Sequence, residues 1–198
     1  MRIRVERHVQ FSNCAKKTKT NEFTGSVNLT QLPPPLRIVD LRENSLSGSV
    51  NLRQLPPALE ELTIPNNQFT GSVDLTQLPE HLETISLESN AFSGSLNLTR
   101  LPLSLAELEL QDNHFAGSLD LTALPHSLNV LNVAQNQLTG VLSLHSLPRS
   151  LTYLNLSANR FNGFLQLGNA LEFGRHLDIR DNQLTGEICE HIVKRGHE

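Results

Sequence analysis

Apolar and polar residues follow one pattern that recurs every 23 residues along the chain. In each unit a segment such as "LETISLESN" (82–90) alternates apolar and polar residues with a period of two, which is typical of a half-buried strand. One such strand per unit predicts stacked coils whose strands pair in parallel. The residues predicted to face inward are Leu62/Ile64, Ile85/Leu87, Leu108/Leu110, Leu131/Val133 and Leu154/Leu156.

The other half of each unit, for example "GSVDLTQLP" (71–79), points Val73, Leu75 and Leu78 inward and then reaches a Pro. Since Pro has no N–H for a strand ladder, this half predicts a short strand followed by a turn or 3₁₀ segment rather than a full helix. The same Pro recurs at Pro33, Pro56, Pro79, Pro102, Pro125 and Pro148.

Two polar or small residues mark every unit. A Gly recurs at 23-residue steps from Gly25 to Gly186, and an Asn stands four residues before each Gly. A fixed period between 20 and 29 residues is typical of a solenoid, in which each unit buries its apolar side only against its neighbours. We expect the Gly to permit a backbone bend or a close contact between coils.

The recurring Asn is predicted to be structural. It ends each strand where the chain turns inward, so its amide is buried and needs hydrogen-bond partners. With two N–H donors and an acceptor oxygen, the amide can bond to its own turn and to the next coil. The predicted ladder consists of Asn44, Asn67, Asn90, Asn113, Asn136, Asn159 and Asn182.

The pattern "LxxLxLxxNxF" followed by "GSVDLTQLPxxL" resembles the leucine-rich repeat over roughly residues 21 to 188. The second half is similar to repeats common in unicellular parasites, kinetoplastids among them, and "LPPALEEL" resembles the shorter repeats of bacterial type III effectors. The resemblance implies a curved, right-handed solenoid that binds protein. We therefore expect a β-rich solenoid with a parallel sheet on its concave face, short strands, turns and 3₁₀ segments on its convex face, and few helices.

The chain ends depart from the repeat. Lys16 and Thr18 stand where the first inward apolar pair should be, so residues 1–20 are predicted to be an N-terminal cap or a disordered extension. Residues 21–186 are predicted to form about seven full coils, and residues 187–198 to form a C-terminal cap.

Charge and composition argue against several classes of partner. The net charge of −4 argues against a nucleic-acid partner, whose phosphates require clustered Lys and Arg. No stretch approaches the roughly 20 apolar residues that span a bilayer. Cys14 and Cys189 would lie about 30 Å apart in a stacked solenoid, too far for a disulfide. We expect an intracellular, cytoplasmic protein that is monomeric.

The outward strand positions are the candidate binding residues, because the inward positions are committed to packing. These outward positions vary from coil to coil while the inward ones repeat, which is typical of a recognition surface. The residues predicted to contact a protein or peptide partner are Glu61, Thr84, Glu88, Glu107, Glu109, Gln111, Val130, Tyr153, Asn155, His176 and Arg180.

The second to fourth coils are rich in acidic residues. Glu61, Glu88, Glu107 and Glu109 would attract a Lys- or Arg-rich segment, with Tyr153 as an aromatic anchor. The alternative is that these carboxylates only keep the solenoid solvated.

No catalytic residue, metal ligand or cofactor is predicted. The eight His fall in different phases of the repeat, and neither a Gly-rich phosphate loop nor a nucleophile with its base is present in the sequence. Two alternatives to a scaffold remain open: a substrate-recognition part of a ubiquitin-ligase-like or effector system, and a surface antigen whose leader is missing. The sequons at Asn28, Asn97 and Asn155 bear on the second, although a repeat that favours "NLT" produces them as well.

Overall fold

The computed structural model of the chain describes residues 23–167 and 176–185. The predicted terminal caps at 1–20 and 187–198, together with Cys14 and Cys189, lie outside these residues.

Each coil contributes one short strand to a seven-stranded parallel sheet, in which the strands follow one another in chain order. Neighbouring strands pair in one register, so that Leu62 lies opposite Ile85, and Ile85 lies opposite Leu108. The strands are β2 (Ile38–Asp40), β4 (Glu61–Thr63), β6 (Thr84–Ser86), β8 (Glu107–Glu109), β10 (Val130–Asn132), β12 (Tyr153–Asn155) and β14 (His176–Asp178). The predicted parallel solenoid is confirmed.

A second parallel sheet of eight strands, also in chain order, lies on the other side of the coils. It was predicted within "GSVDLTQLP", but its strands lie earlier, between the ladder Asn and the first residues of that segment. The strands are β1 (Thr24–Gly25), β3 (Ser45–Gly48), β5 (Gln68–Gly71), β7 (Ala91–Gly94), β9 (His114–Ser118), β11 (Gln137–Gly140), β13 (Arg160–Phe164) and β15 (Gln183–Thr185).

The shift of this second strand has a physical cause in the Asn ladder. The Asn90 side-chain oxygen accepts a hydrogen bond from the backbone N–H of Phe69, at 3.0 Å, in the preceding coil. This bond aligns the segment before each Gly with its neighbour, and β5 pairs with β7 directly after it. The position of the second sheet along the chain therefore follows from a side chain that bonds neighbouring coils.

The core lies between the two sheets and is built from columns of like residues. The predicted inward residues Leu62, Ile64, Ile85 and Leu87 are fully buried. Phe69, Phe92 and Phe115 form a continuous stack, with ring centroids 6.0 and 6.3 Å apart and planes 11° from parallel. The buried surface of each coil thus depends on the coils on either side of it.

The Asn side chains satisfy the turns that close the coils. Asn113 is buried, and its amide nitrogen donates to the carbonyls of Leu110 (3.2 Å) and Gln111 (3.2 Å) in its own coil. The same nitrogen reaches Leu87 O in the preceding coil at 3.1 Å, and the amide oxygen accepts from Phe92 N at 2.9 Å. The same four-bond arrangement holds for Asn67, Asn90, Asn136, Asn159 and Asn182, and Asn44 makes three of the bonds.

The backbone takes positive φ values twice in each coil. The residue before every ladder Asn has φ between 52° and 56°, although it is an Asn only at Asn66. The Gly at the end of the second strand also has positive φ, +84° at Gly94 and +92° at Gly25. An added Cβ at Gly94 would lie 3.1 Å from the Ser72 Cβ, whereas no described residue comes within 4 Å of one at Gly25. The bend is therefore the requirement that these two glycines share, and at Gly94 close contact with the preceding coil is added.

Turns replace helices in the remainder of each coil. The predicted turn after each Pro is present, with Leu59 N bonded to Pro56 O at 3.0 Å and Leu82 N to Pro79 O at 3.2 Å. Over the residues that the structure describes, the 3₁₀ segment Leu29–Gln31 is the only helical element. Few helices were expected.

The "NLT" pattern has a structural role in these turns. The Asn97 side-chain oxygen accepts hydrogen bonds from the Thr99 backbone N–H at 3.0 Å and from its hydroxyl at 2.8 Å. Asp120 makes the same two bonds to Thr122, so an Asp serves as well as an Asn. The sequons at Asn28 and Asn97 therefore coincide with a turn that the repeat needs.

Candidate functional site

The outer side of the seven-stranded sheet holds the predicted binding residues in three columns, which we call the variable face. The first column runs through Ile38, Glu61, Thr84, Glu107, Val130, Tyr153 and His176, which lie opposite one another in register. The second column runs through Asp40, Thr63, Ser86, Glu109, Asn132, Asn155 and Asp178 in the same way. The third column follows two residues after the second: Arg42, Pro65, Glu88, Gln111, Ala134, Ser157 and Arg180.

The second column is less available than its outward direction suggests. Thr63, Ser86, Asn132 and Asp178 are buried beneath their neighbours. Asn155 is also engaged, because its side-chain oxygen accepts from the Ser157 N–H at 3.0 Å and from the Ser157 hydroxyl at 2.7 Å. Asn and Asp at this position cap the turn that follows the strand, which the sequence analysis did not anticipate. The first column and most of the third, apart from the buried Pro65 and Ala134, are therefore more accessible than the second.

Of the predicted acidic residues, Glu61 lies close to a cation of the first coils. Arg42 bonds to Asp40 at 2.8 Å, and its Nη2 lies 3.9 Å from the Glu61 carboxylate. Glu60 pairs with Arg37 on the neighbouring coil. The predicted acidic residues that form no ion pair within the described residues are therefore Glu88, Glu107 and Glu109.

Within this acidic region, two side-chain oxygens are buried without a hydrogen-bond donor. Glu109 Oε2 and Gln111 Oε1 are buried, and neither has a hydrogen-bond partner. Burial raises the pKa of the Glu109 carboxyl, with smaller contributions in the same direction from the charges of Glu88 and Glu107. Contacts with the Asn132 and Gln111 amides act in the opposite direction. Two buried acceptors without a donor are costly to leave unmatched.

Two coils beyond Glu107, the variable face carries a pair of stacked aromatic side chains. The Tyr153 and His176 rings are stacked, with centroids 4.8 Å apart and planes 7° from parallel. The Asn155 amide donates to the Tyr153 hydroxyl at 3.3 Å, which fixes the ring on a second side. On the side of Tyr153 away from His176, the neighbouring residue of the first column is the half-buried Val130.

The final predicted residue, Arg180, is already engaged. Its guanidinium makes two hydrogen bonds to the buried Asp178, from Nη2 at 2.6 Å and from Nε at 3.0 Å. The Arg180 hydrogen bonds lower the pKa of the Asp178 carboxyl below its ordinary value. Arg180 is therefore held at the end of β14, the last described strand of the seven-stranded sheet, and its charge is largely balanced.

Across 23–167 and 176–185, no group of three or more His, Cys, Asp or Glu is arranged to hold a metal ion. Among the same residues, no helix has both the length and the apolar character needed to cross a membrane.

Comparison with known families assigns this architecture. The BspA type leucine rich repeat region matches residues 6–122 and 62–171 in six copies, and a further leucine rich repeat matches residues 175–193. The chain belongs to the BspA-type leucine-rich repeat family. Comparison of this leucine-rich repeat chain with curated proteins finds no match.

Solved leucine-rich repeat structures share the fold. The ectodomain of the receptor kinase GASSHO1/SCHENGEN3 from Arabidopsis thaliana, in complex with CASPARIAN STRIP INTEGRITY FACTOR 2, is 26% identical with a TM-score of 0.68, over 83% of this chain and 21% of that one. The Arabidopsis HAESA ectodomain, in complex with an extended IDA peptide hormone ligand, is 25% identical with a TM-score of 0.66, over 84% of this chain and 33% of that one. Pollen Receptor Kinase 3 is 20% identical with a TM-score of 0.60, over 86% of this chain and 92% of that one. The leucine-rich repeat chain thus spans about a fifth to a third of the first two ectodomains.

The raised pKa of Glu109 in this leucine-rich repeat chain gives a pH-dependent prediction. The Glu109 pKa is raised in the folded chain, so between the unfolded and the folded pKa values the folded state holds a proton that the unfolded state has lost. The free energy of unfolding therefore falls as the pH rises through that interval. We expect Glu109→Gln to be more stable than the wild type at pH 7, and the difference to shrink below about pH 4, where the carboxyl is protonated in both states. Denaturant unfolding at both pH values measures this. A difference that does not change with pH would contradict the assignment.

Proposed function

We propose that this leucine-rich repeat chain is a non-catalytic protein-binding module that holds a basic, extended peptide segment on the variable face. The observation that carries the proposal is the set of three unpaired carboxylates, Glu88, Glu107 and Glu109, on a face whose residues differ from coil to coil above a uniform core. Opposite charge on a partner would steer its approach and suppress acidic competitors.

The size of the face favours a peptide over a globular partner. Seven strands about 4.8 Å apart and about five residues wide cover roughly 550 Å². A standard interface between two proteins takes about 800 Å² from each partner. An extended peptide needs less surface, and the HAESA ectodomain, which shares this fold, holds a peptide hormone.

Several predictions about the setting of this module stay predictions. They are its intracellular location, its monomeric state and the similarity of its second half to repeats of unicellular parasites. The roles of a substrate-recognition part in a ligase-like or effector system and of a surface antigen stay open in the same way.

Charge reversal tests the proposed function. We expect Glu88→Lys/Glu107→Lys to weaken capture of a labelled Arg-Ser repeat peptide about tenfold or more, and we expect high salt to weaken capture by the wild type. The control Glu43→Lys/Glu80→Lys makes the same change in net charge at two exposed loop positions and should bind like the wild type. Fluorescence anisotropy measures binding. Equal affinity of both double variants for the peptide would contradict a basic partner on this face.

A further inference from the structure

The three N-glycosylation sequons of the chain differ in how far they expose their asparagine. Asn28 and Asn97 are exposed and lie in the turns that follow β1 and β7 of the second sheet. Asn155 is half-buried and is the last residue of β12 in the seven-stranded sheet. A bulky glycan needs an asparagine at the surface, so the first two sequons meet this requirement and the third does not.

The amide nitrogens of the two exposed asparagines are not engaged in the fold. The Asn97 oxygen accepts hydrogen bonds from the Thr99 N–H at 3.0 Å and from the Thr99 hydroxyl at 2.8 Å, and the Asn28 oxygen accepts the same pair from Thr30, at 3.0 and 2.8 Å. Neither amide nitrogen donates a hydrogen bond within residues 23–167 and 176–185. The Asn155 nitrogen, in contrast, donates to a tyrosine hydroxyl at 3.3 Å. A second molecule can therefore reach the first two nitrogens without breaking an internal hydrogen bond.

The turn itself does not require an amide nitrogen or a hydroxyl. Asp120 accepts the same two bonds from Thr122, at 2.9 and 2.6 Å, and a carboxylate has oxygens only. In the turn at Asn51 the second residue after the asparagine is Arg53, which donates only its backbone N–H, at 3.0 Å. An exposed amide nitrogen together with a bonded hydroxyl, as at Asn97, is therefore more than closure of the turn needs.

N-glycosylation is the reaction that uses these two groups together. The amide nitrogen forms a bond to the anomeric carbon of an oligosaccharide, while the bond from that carbon to a phosphate oxygen of a polyprenyl diphosphate carrier breaks. The carrier leaves with the bonding electrons and the nitrogen gives up one proton, so the transfer involves no oxidation or reduction. The hydroxyl two residues after the asparagine completes the acceptor motif. At Asn28 and Asn97 this hydroxyl already lies 2.8 Å from the amide oxygen.

The location of the two turns leaves the variable face open. Asn28 and Asn97 follow strands of the second sheet, which lies on the other side of the coils from the variable face. Asn155 belongs to the second column of the variable face itself. Glycans at the first two positions are therefore compatible with a ligand on the variable face, whereas a glycan at Asn155 would cover part of it.

We propose that Asn28 and Asn97 accept N-linked glycans from a polyprenyl-diphosphate oligosaccharide, and that Asn155 stays unmodified. The proposal does not depend on which partner the variable face binds. It favours the surface-protein alternative over the predicted intracellular location, because N-glycosylated sequons belong to exported chains.

Mass spectrometry of the full chain isolated from its own cells tests the proposal. Peptide N-glycosidase in heavy-oxygen water converts each glycosylated asparagine into a labelled aspartate and leaves an unmodified asparagine as it is. We expect label at Asn28 and Asn97 and none at Asn155. Absence of label from either of the first two positions, or equal label at Asn155, overturns the proposal.

Variants of the full chain, exported from a eukaryotic host, separate the glycan from the turn. Asn97→Asp keeps the oxygens that close the turn, as Asp120 does, and removes only the amide nitrogen. We expect this variant to lose one of two glycosidase-sensitive steps in gel mobility and to melt like the deglycosylated wild type. Asp120→Asn completes an Asn-Leu-Thr sequon in the same turn and should add a step, whereas the control Asn155→Asp should change none. Two steps retained in Asn97→Asp, or no added step in Asp120→Asn, would contradict the assignment.

Discussion

Replacement of Asn113 by Ala is expected to lower the free energy of unfolding by about 3–5 kcal/mol. The change removes four hydrogen bonds and leaves the Phe92 N–H buried with no acceptor. The carbonyls of Leu87 and Leu110 each keep one hydrogen bond, because Leu87 also accepts from Asn90 and Leu110 also accepts from Asn136. Most of the loss therefore comes from one orphaned N–H group, and the weaker carbonyl bonds add to it.

Asn97→Ala is the matched control for Asn113→Ala. Asn97 is exposed, and its side chain bonds only to Thr99 two residues later. We expect it to cost about 1 kcal/mol or less. Urea unfolding of both variants, followed by circular dichroism, gives the comparison. Similar losses at the two sites would contradict a role for Asn113 in joining coils.

Replacement of Phe92 by Ala is expected to cost about 3–5 kcal/mol. The ring is fully buried between Phe69 and Phe115, so its removal leaves a cavity that the rigid neighbouring strands cannot close. Thermal and urea unfolding measure the loss.

Phe92→Leu is the control within the same column. Leu46 and Leu138 occupy this position in other coils and are fully buried there, so the site accepts a Leu side chain. We expect a loss of less than about 1.5 kcal/mol. If Leu proved as damaging as Ala, the ring stack itself, rather than the filled volume, would be the source of stability.

The repeat allowed most of the fold to be predicted from the sequence. The alternation around Leu62 and Ile64 identified the buried side of the first strand, because a period of two is a property of the extended backbone itself. The second strand was placed too late, since its position depends on a bond from the Asn of the following coil to Phe69 or its equivalents. The recurring Asn predicted bonds between coils, but the period alone does not say which backbone group of the neighbouring coil the Asn contacts.

The candidate site was less accessible to sequence reasoning. The alignment of Glu61, Glu107 and Tyr153 in one column followed from the period. The contact between Arg42 and Glu61 and the unmatched oxygens of Glu109 and Gln111 did not, because they depend on side-chain conformation and on burial by adjacent coils. The αL backbone before each Asn was missed for a similar reason, since residues as different as Ala158 and Glu43 adopt it.

The common register of all coils has a consequence for how such a gene can change. Strands 23 residues apart lie opposite each other in the seven-stranded sheet, as Glu61, Thr84 and Glu107 do. Tandem duplication or loss of one whole unit would leave every remaining coil with a neighbour of matching shape. Unequal crossing-over between units can thus lengthen, shorten or reorder the outer columns while the buried ones stay the same, so that ligand preference can evolve without passing through an unfolded intermediate sequence.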